Sequence, residues 1–108
     1  MSIDTTFQPK TQTYAVDNTA AVQLTEAAQV GALTFRIRNI NAAAIYVAWG
    51  VTAPAAPTAP AIGTPKPRTM GIPIGGVLYI EVPPASFFIA SAVAPALEIT
   101  GGQGGVGG

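Results

Sequence analysis

The chain of 108 residues offers few side chains with which to catalyse a reaction. It contains no histidine and no cysteine, and its acidic residues are Asp4, Asp17, Glu26, Glu81 and Glu98. Proton transfer, nucleophilic attack and transition-metal binding near neutral pH depend mainly on imidazole, thiolate or paired carboxylates. We therefore expect no catalytic residue, no cofactor and no metal site, and we expect a binding or structural protein rather than an enzyme.

The two acids of the last predicted strands are the one pair that suggests chemistry. Glu81 and Glu98 are expected on neighbouring strands, and two carboxyl groups that face each other across a cleft would suit glycoside hydrolysis. Both acids alternate with apolar residues, as Arg36 and Arg38 do, so all four are expected on exposed sheet faces. Exposed ion pairs among them are the simpler interpretation. Calcium would need clustered carboxylates, which the spacing does not supply.

The charge balance bears on the partners of the chain. Five basic and five acidic residues give a formal net charge of zero. Nucleic acid is not an expected partner, because a surface that binds it needs a basic patch. A membrane is not expected either, since Asn, Gly or Pro interrupts every apolar stretch before the roughly 20 residues of a span, and the N-terminus lacks a signal-peptide pattern. A neutral surface is typical of a protein that is covered by neighbours in an assembly.

Short segments of alternating apolar and polar residues must position these side chains, and they predict β-strands along most of the chain. Their number and spacing predict an all-β fold, a single antiparallel β-sandwich of jelly-roll or immunoglobulin-like type. The residues expected to face the core are Leu33, Phe35, Ile37, Ile45, Val47, Trp49, Leu78, Ile80, Val82, Phe87, Ile89, Leu97 and Ile99. Phe88 and Ala90 are expected on the outer face.

Two hairpins and one helical turn are expected within this sandwich. YAV and AVQLT are predicted to pair across a turn at Asp17 and Asn18, and LTFRIRN is predicted to pair with IYVAW across a turn at residues 39–43. In TEAAQVGAL, alanine and glutamate favour a helix, whereas Gly31 and the short length limit it to one turn.

Three segments stand apart from the β-sandwich domain, which is expected over residues 12–100. Residues 1–11 are polar and predict an extended N-terminal arm. Residues 53–67 hold five prolines and predict an inserted loop that cannot join a central ladder. Residues 101–108 are nearly all glycine and predict a flexible tail.

A contact surface for a partner is the one kind of functional site that these patterns favour. Tyr, Phe and Arg are enriched at interfaces, and proline-rich segments can bind aromatic grooves or lie across a neighbouring subunit. The alternatives are an ordinary solvated sheet face and an accidental PxxP spacing. The candidate interface residues are Phe7, Pro9, Arg36, Arg38, Tyr46, Pro54, Pro57, Pro60, Tyr79, Glu81 and Phe88.

Four segments within residues 12–105 resemble the small head decoration, or cement, proteins of tailed bacteriophages. TFRIRNINAAAIYVAWG is similar to the family's arginine-bearing strand, Asn-led turn and strand that ends in an aromatic residue and glycine. GIPIGGVLYIEVP is similar to its G-x-P-x-x-G step into an apolar strand. FFIASAVAPALEIT resembles its Ala-rich hairpin, and TGGQGGVGG its Gly-rich tail. The proline-rich loop is longer and the tail richer in glycine than this pattern has.

The resemblance implies a virion protein that is made in the cytoplasm of the bacterial host and binds the capsid exterior. The major capsid protein would be its partner, and the chain would form a homo-oligomer, with a trimer as the first expectation. Another virion role, in the tail, the neck or the base of a head fibre, is compatible with the same fold. A carbohydrate-binding module that uses Trp49, Tyr46 and Tyr79 is the alternative from another class.

Overall fold

The computed structural model describes residues 7–58, 62–63, 66 and 68–103. The described residues form two antiparallel sheets, with strand orders β1-β8-β3-β6 (the first sheet) and β2-β7-β4-β5 (the second sheet). This confirms the predicted all-β sandwich. The elements are β1 (Gln8–Val16), β2 (Val22–Gln23), α1 (Thr25–Val30), β3 (Thr34–Asn39), β4 (Ile45–Gly50), β5 (Thr69–Ile72), β6 (Val77–Glu81), β7 (Phe87–Ala90) and β8 (Leu97–Gln103).

The strands pair symmetrically about the middle of the chain, the first with the last, the second with the seventh, and so on inward. β1 pairs with β8, β2 with β7, β3 with β6, and β4 with β5. The chain is therefore one long folded hairpin that rolls up so that β8 also pairs with β3 and β7 also pairs with β4. This is the topology of an eight-stranded jelly roll, the first of the two predicted sandwich types.

The predicted local hairpins are wrong. β1 and β2 lie in different sheets, and so do β3 and β4 and the two strands of the Ala-rich segment, β7 and β8. The loops at residues 17–21 and 40–44 therefore cross from one sheet to the other. Alternation could not distinguish the two arrangements, because a strand buries the same side chains whichever sheet supplies its neighbour.

A buried amide holds the crossing after β3. Asn39 donates through Nδ2 to the carbonyl oxygens of Ala43, Ile72 and Pro73 at 2.9, 2.9 and 3.1 Å. Its Oδ1 accepts the backbone N–H of Asn41 at 2.7 Å. One side chain thus joins the β3–β4 crossing to the end of β5, and its burial is compensated by hydrogen bonds.

The core lies between the two sheets and is centred on two aromatic rings. Phe35 of the first sheet and Phe88 of the second are fully buried, and their ring centroids are 5.1 Å apart at an angle of 50°. This tilted geometry is favourable for aromatic pairs. The other buried members of the core are Val16, Leu24, Ala27, Ala32, Ile37, Ile45, Val47, Ile72, Ala90, Ala96, Leu97 and Ile99.

The inward residues of β3, β4, β6 and β8 are confirmed, whereas the orientation predicted for β7 is wrong. Phe88 and Ala90 are 0% exposed and belong to the core, while Phe87 is half-buried. Ile89 is buried on the opposite side of the strand. The run FFIA contains no polar residue, so its sequence carries no period-two signal. Leu33 also differs from its prediction, because it precedes β3 and is 56% exposed.

Both ends of the domain extend further than predicted. β1 begins at Gln8, inside the predicted arm, and β8 continues to Gln103, inside the predicted tail. The two ends pair with each other, since Gln8 is opposite Gln103 and Pro9 is opposite Gly102. The remaining residues of the predicted arm and tail lie outside the described part of the chain.

The proline-rich loop agrees with its prediction, whereas the six residues of α1 exceed the single turn that was predicted. α1 is a single short helix that ends at Gly31, whose φ of 67° places it in the left-handed region that favours glycine. The described positions of residues 53–67 contain no strand. Within the same described residues, no helix has the length and hydrophobicity that crossing a membrane would require.

The orientation of β7 can be tested with two adjacent substitutions of the same chemistry. We expect Phe88→Ala to lower the free energy of unfolding by about 3–5 kcal/mol, because it leaves a cavity beside Phe35. Phe87→Ala should cost clearly less, since that side chain is only half-buried. Chemical denaturation monitored by circular dichroism measures both losses, and a larger loss for Phe87→Ala would contradict the orientation described here.

Candidate functional site

A row of four side chains crosses the outer face of the first sheet. Thr13 of β1 is opposite Thr100 of β8, which is opposite Arg36 of β3, which is opposite Tyr79 of β6. Their chain neighbours on the inner face, such as Phe35, are buried in the core, so the row faces outward. The pairing of the four strands thus aligns residues that lie far apart in the sequence.

Two residues from the N-terminal end complete a groove over this row. Phe7 and Pro9 line it together with Thr13, Arg36, Tyr79 and Thr100, and its volume is about 370 Å³. The ring centroids of Phe7 and Tyr79 are 5.6 Å apart, with the rings tilted by 55°. A groove of this size lies within the usual range of small-ligand sites, roughly 300–1,000 Å³.

A glycine of β8 lets the Phe7 ring lie on the sheet. A Cβ atom at Gly102 would overlap the backbone carbonyl oxygen of Gln8 and would also lie only 2.7 and 2.9 Å from the Phe7 ring carbons Cζ and Cε1. No real Cβ tolerates such contacts, so glycine is required for this placement. At the neighbouring Gly101 a Cβ would be tight but not excluded, since it would lie 3.2 Å from Phe35 Cε2.

The groove offers hydrogen-bond donors and one positive charge. The hydroxyl oxygens of Thr13 and Thr100 are 2.8 Å apart. One of these hydroxyls donates to the other, so the acceptor keeps its own hydrogen for a further partner. Arg36 has no ion pair within the described residues, whereas Arg38, two residues along β3, lies 3.8 Å from Glu98. The groove is therefore suited to accept an anionic or acceptor-rich group, flanked by the rings of Phe7 and Tyr79.

Four of the predicted interface residues meet in this groove, namely Phe7, Pro9, Arg36 and Tyr79. Two further residues, Arg38 and Glu81, are exposed on the same face of the sheet, outside the groove. The ion pair between Arg38 and Glu98 confirms one of the predicted pairs. Glu81 and Glu98, however, lie on β6 and β8, which flank β3, so they are not on neighbouring strands as predicted.

The other predicted interface residues lie elsewhere. Tyr46 is on the second sheet, where its ring lies against Gly71, since a Cβ there would be 3.2 Å from Tyr46 Cε2. Pro54 is half-buried and Pro57 is buried in the proline-rich loop. Phe88 is wrong as an interface residue, because it forms the centre of the core. Pro60 lies outside the described residues.

Three residues of the groove region were missed by sequence reasoning. Thr13 and Thr100 lie on the outer faces of predicted strands, but only the pairing of β1 with β8 brings them together. Gly102 was assigned to a flexible tail, although a glycine in register with a strand signals a close approach of another group. That signal was visible in the sequence, since TGG directly follows the alternating segment ALEI.

Elsewhere in the described part of the chain, no cluster of chemically reactive groups is found. No three carboxylates there come together as a metal site would require. Every buried side-chain nitrogen and oxygen in that part has a hydrogen-bond partner. Comparisons of the chain with protein-family models, with curated proteins and with solved structures found no match.

The placement of Phe7 over Gly102 makes a testable prediction. Gly102→Ala should lower the free energy of unfolding by about 1–3 kcal/mol, because the new methyl group meets both the Gln8 carbonyl oxygen and the Phe7 ring. In a Phe7→Ala background the same substitution should cost less but still destabilise the fold, since the ring is then absent while the Gln8 carbonyl remains. Thermal or urea unfolding of the unaltered protein, the two single variants and the double variant gives this coupling. Equal losses in both backgrounds would mean that the Gln8 carbonyl alone requires glycine, and would contradict the contact with the Phe7 ring.

Proposed function

We propose that this chain is a structural protein of a bacteriophage virion that decorates the capsid by binding the outer surface of the major capsid protein. The observation that carries this proposal is Arg36, which has no ion pair among the described residues and lies between Tyr79 and Thr100 in the groove of the first sheet. Arginine and tyrosine are the residue types that most often dominate protein–protein binding energy. An acidic side chain of the capsid surface would supply the missing charge.

Fold and composition support the same proposal. Jelly rolls are used in viral capsid and lectin domains, although a fold alone does not define a function. The specific support for a phage protein is the resemblance of the four segments described above. A low content of charged residues is expected of a protein whose surface is covered by neighbours in an assembly. Many copies on a symmetric shell would bind with avidity even if each contact is weak.

The two arginines of β3 provide a matched test of capsid binding. Arg36→Ala should weaken binding to capsids that lack this protein by about 30-fold or more, since loss of an interface anchor costs about 2 kcal/mol or more. Arg38→Ala should have a much smaller effect, because Arg38 already pairs with Glu98 outside the groove. Cosedimentation of purified protein with such capsids measures both affinities. Equal binding by the two variants would contradict the proposed role of the groove.

Electron microscopy of the intact particle tests the virion role itself. Copies distributed over the shell would support capsid decoration, whereas copies confined to one vertex would favour a tail, neck or head-fibre role. Absence of the protein from purified particles would overturn both.

Carbohydrate binding is a second candidate, favoured by one observation. Phe7 and Tyr79 place aromatic rings beside hydroxyl and guanidinium donors, a combination that also suits sugar recognition. Trp49 packs against the core and Tyr46 lies on the other sheet, so Tyr79 is the one residue of the predicted trio that remains in the groove. Chemical-shift changes of the Tyr79 and Arg36 resonances with a glycan panel, and none with capsid proteins, would favour this candidate.

A further inference from the structure

The first sheet has two edges, and the edge at β1 is protected. The register of β1 against β8 is interrupted between Pro9 and Thr13, and Pro9 has no N–H to offer a further strand. The backbone N–H of Gln12 donates to the carboxylate of Glu26 on α1. Irregular register, proline and capping side chains are the devices by which sheet edges avoid pairing with other chains.

The register of β6 against β3 determines which backbone groups of β6 point to the open edge. In antiparallel strands, opposed residues alternate between pairs that exchange both backbone hydrogen bonds and pairs that exchange none. Val82 donates to the carbonyl of Leu33 at 3.2 Å, and Asn39 donates to that of Gly76 at 3.0 Å. These two bonds show which residues of β6 exchange backbone hydrogen bonds with β3. Every second residue between Gly76 and Val82 therefore also directs its N–H and C=O groups toward β3.

The remaining residues of β6 point their backbone groups the other way. Val77, Tyr79 and Glu81 lie between the hydrogen-bonded positions, so their N–H and C=O groups face the open edge. Among the residues that the structure describes, no strand pairs with β6 on that side. The edge contains neither proline nor a positive charge, since the segment is VLYIE.

Apolar side chains surround this open edge. Val77 is 43% exposed, and Ile74 just before the strand is 66% exposed. Beyond the other end of β6, a groove of about 510 Å³ is lined by Leu33, Glu81, Val82, Pro83 and Pro84. An unpaired strand with apolar margins is a template for a further strand, and main-chain hydrogen bonds would supply the affinity.

We propose that a second copy of this chain occupies the edge, with the two β6 strands paired antiparallel about a two-fold axis at Tyr79. Tyr79 would then be opposite the partner's Tyr79, and Val77 would be opposite the partner's Glu81. About six backbone hydrogen bonds would form, because each strand contributes three N–H and three C=O groups. The two first sheets would join into one continuous sheet.

The charges of β6 and β3 make the second copy a suitable occupant. Glu81 is the one charged residue of β6, and in this register it meets an apolar valine rather than another acid. Arg38 is opposite Val77 within its own sheet, so Glu81 of one copy shares a row with Arg38 of the other. The pairing therefore contains no like charges in direct opposition and places opposite charges in the same row.

This interface goes beyond the capsid proposal and does not depend on it. A contact in which the same strand pairs with itself closes with two copies, whereas the sequence resemblance implied three. The outer face that carries Arg36 stays outward on the joined sheet, so both copies would present their grooves on one side. Failure of self-association would leave capsid binding untouched, and failure of capsid binding would leave the dimer untouched.

Charge substitutions at Val77 test the register directly, with sedimentation equilibrium of the full chain as the measurement. We expect a monomer–dimer equilibrium for the unaltered protein. Val77→Glu should raise the dimer dissociation constant by about tenfold, because it places two acids opposite each other twice in the dimer. Val77→Lys, which adds a charge at the same place, should not weaken the dimer, since it would face the partner's Glu81. The double variant Val77→Glu/Glu81→Lys should restore dimerisation.

A control variant separates the edge from general effects of surface charge. Val93, in the loop between β7 and β8, is 67% exposed, and Val93→Glu should leave the dissociation constant unchanged. Thermal unfolding of every variant shows whether the fold is retained. A protein that stays monomeric at millimolar concentration, or forms a trimer, would overturn the proposal. So would equal effects of Val77→Glu and Val77→Lys, since the proposed register predicts opposite outcomes for them.

Discussion

The structure depends on the closure of two sheets over one thin apolar layer, in which Phe35 lies against Phe88. Each sheet must present one continuous apolar face to that layer, since sandwich cores are only about 10 Å thick. The chain meets this requirement by pairing its first strand with its last and its second with its seventh. Crossing loops are the consequence, and Asn39 holds one of them with hydrogen bonds to two separate loop segments.

The same constraint determines where binding can occur. Because the inner face of the first sheet is filled by the core, its charged side chains are directed outward, and Asn39 at the end of β3 is the buried polar exception. Thr13, Thr100, Arg36 and Tyr79 form a single row there, and Gly102 leaves room for Phe7 to cover one end. Both proposals concern this one sheet, the capsid contact through its outer face and the self-association through its edge. They can therefore operate together without competing for the same atoms.

Sequence reasoning succeeded where alternation is regular and failed where it is absent. TFRIRN alternates strictly, and its inward residues Phe35 and Ile37 were predicted correctly, as was the end of α1 at Gly31. The run FFIA is apolar throughout, so its orientation was decided by packing against Phe35. Of the groove, the sequence indicated the outward Arg36 and Tyr79, but it did not indicate that Thr13, Thr100 and Phe7 lie beside them.

By itself the sequence determined the class of fold, the positions of most strands and the outward placement of the charged residues of β3, β6 and β8. These features follow from local periodicity and turn residues, which act over a few neighbouring positions. Tertiary structure alone decided the strand partners, the burial of Phe88, the groove and the open edge of β6. These features rest on contacts between distant residues, such as Thr13 and Thr100, 87 positions apart. Only the closure of the whole sandwich selects among the pairings that local patterns allow.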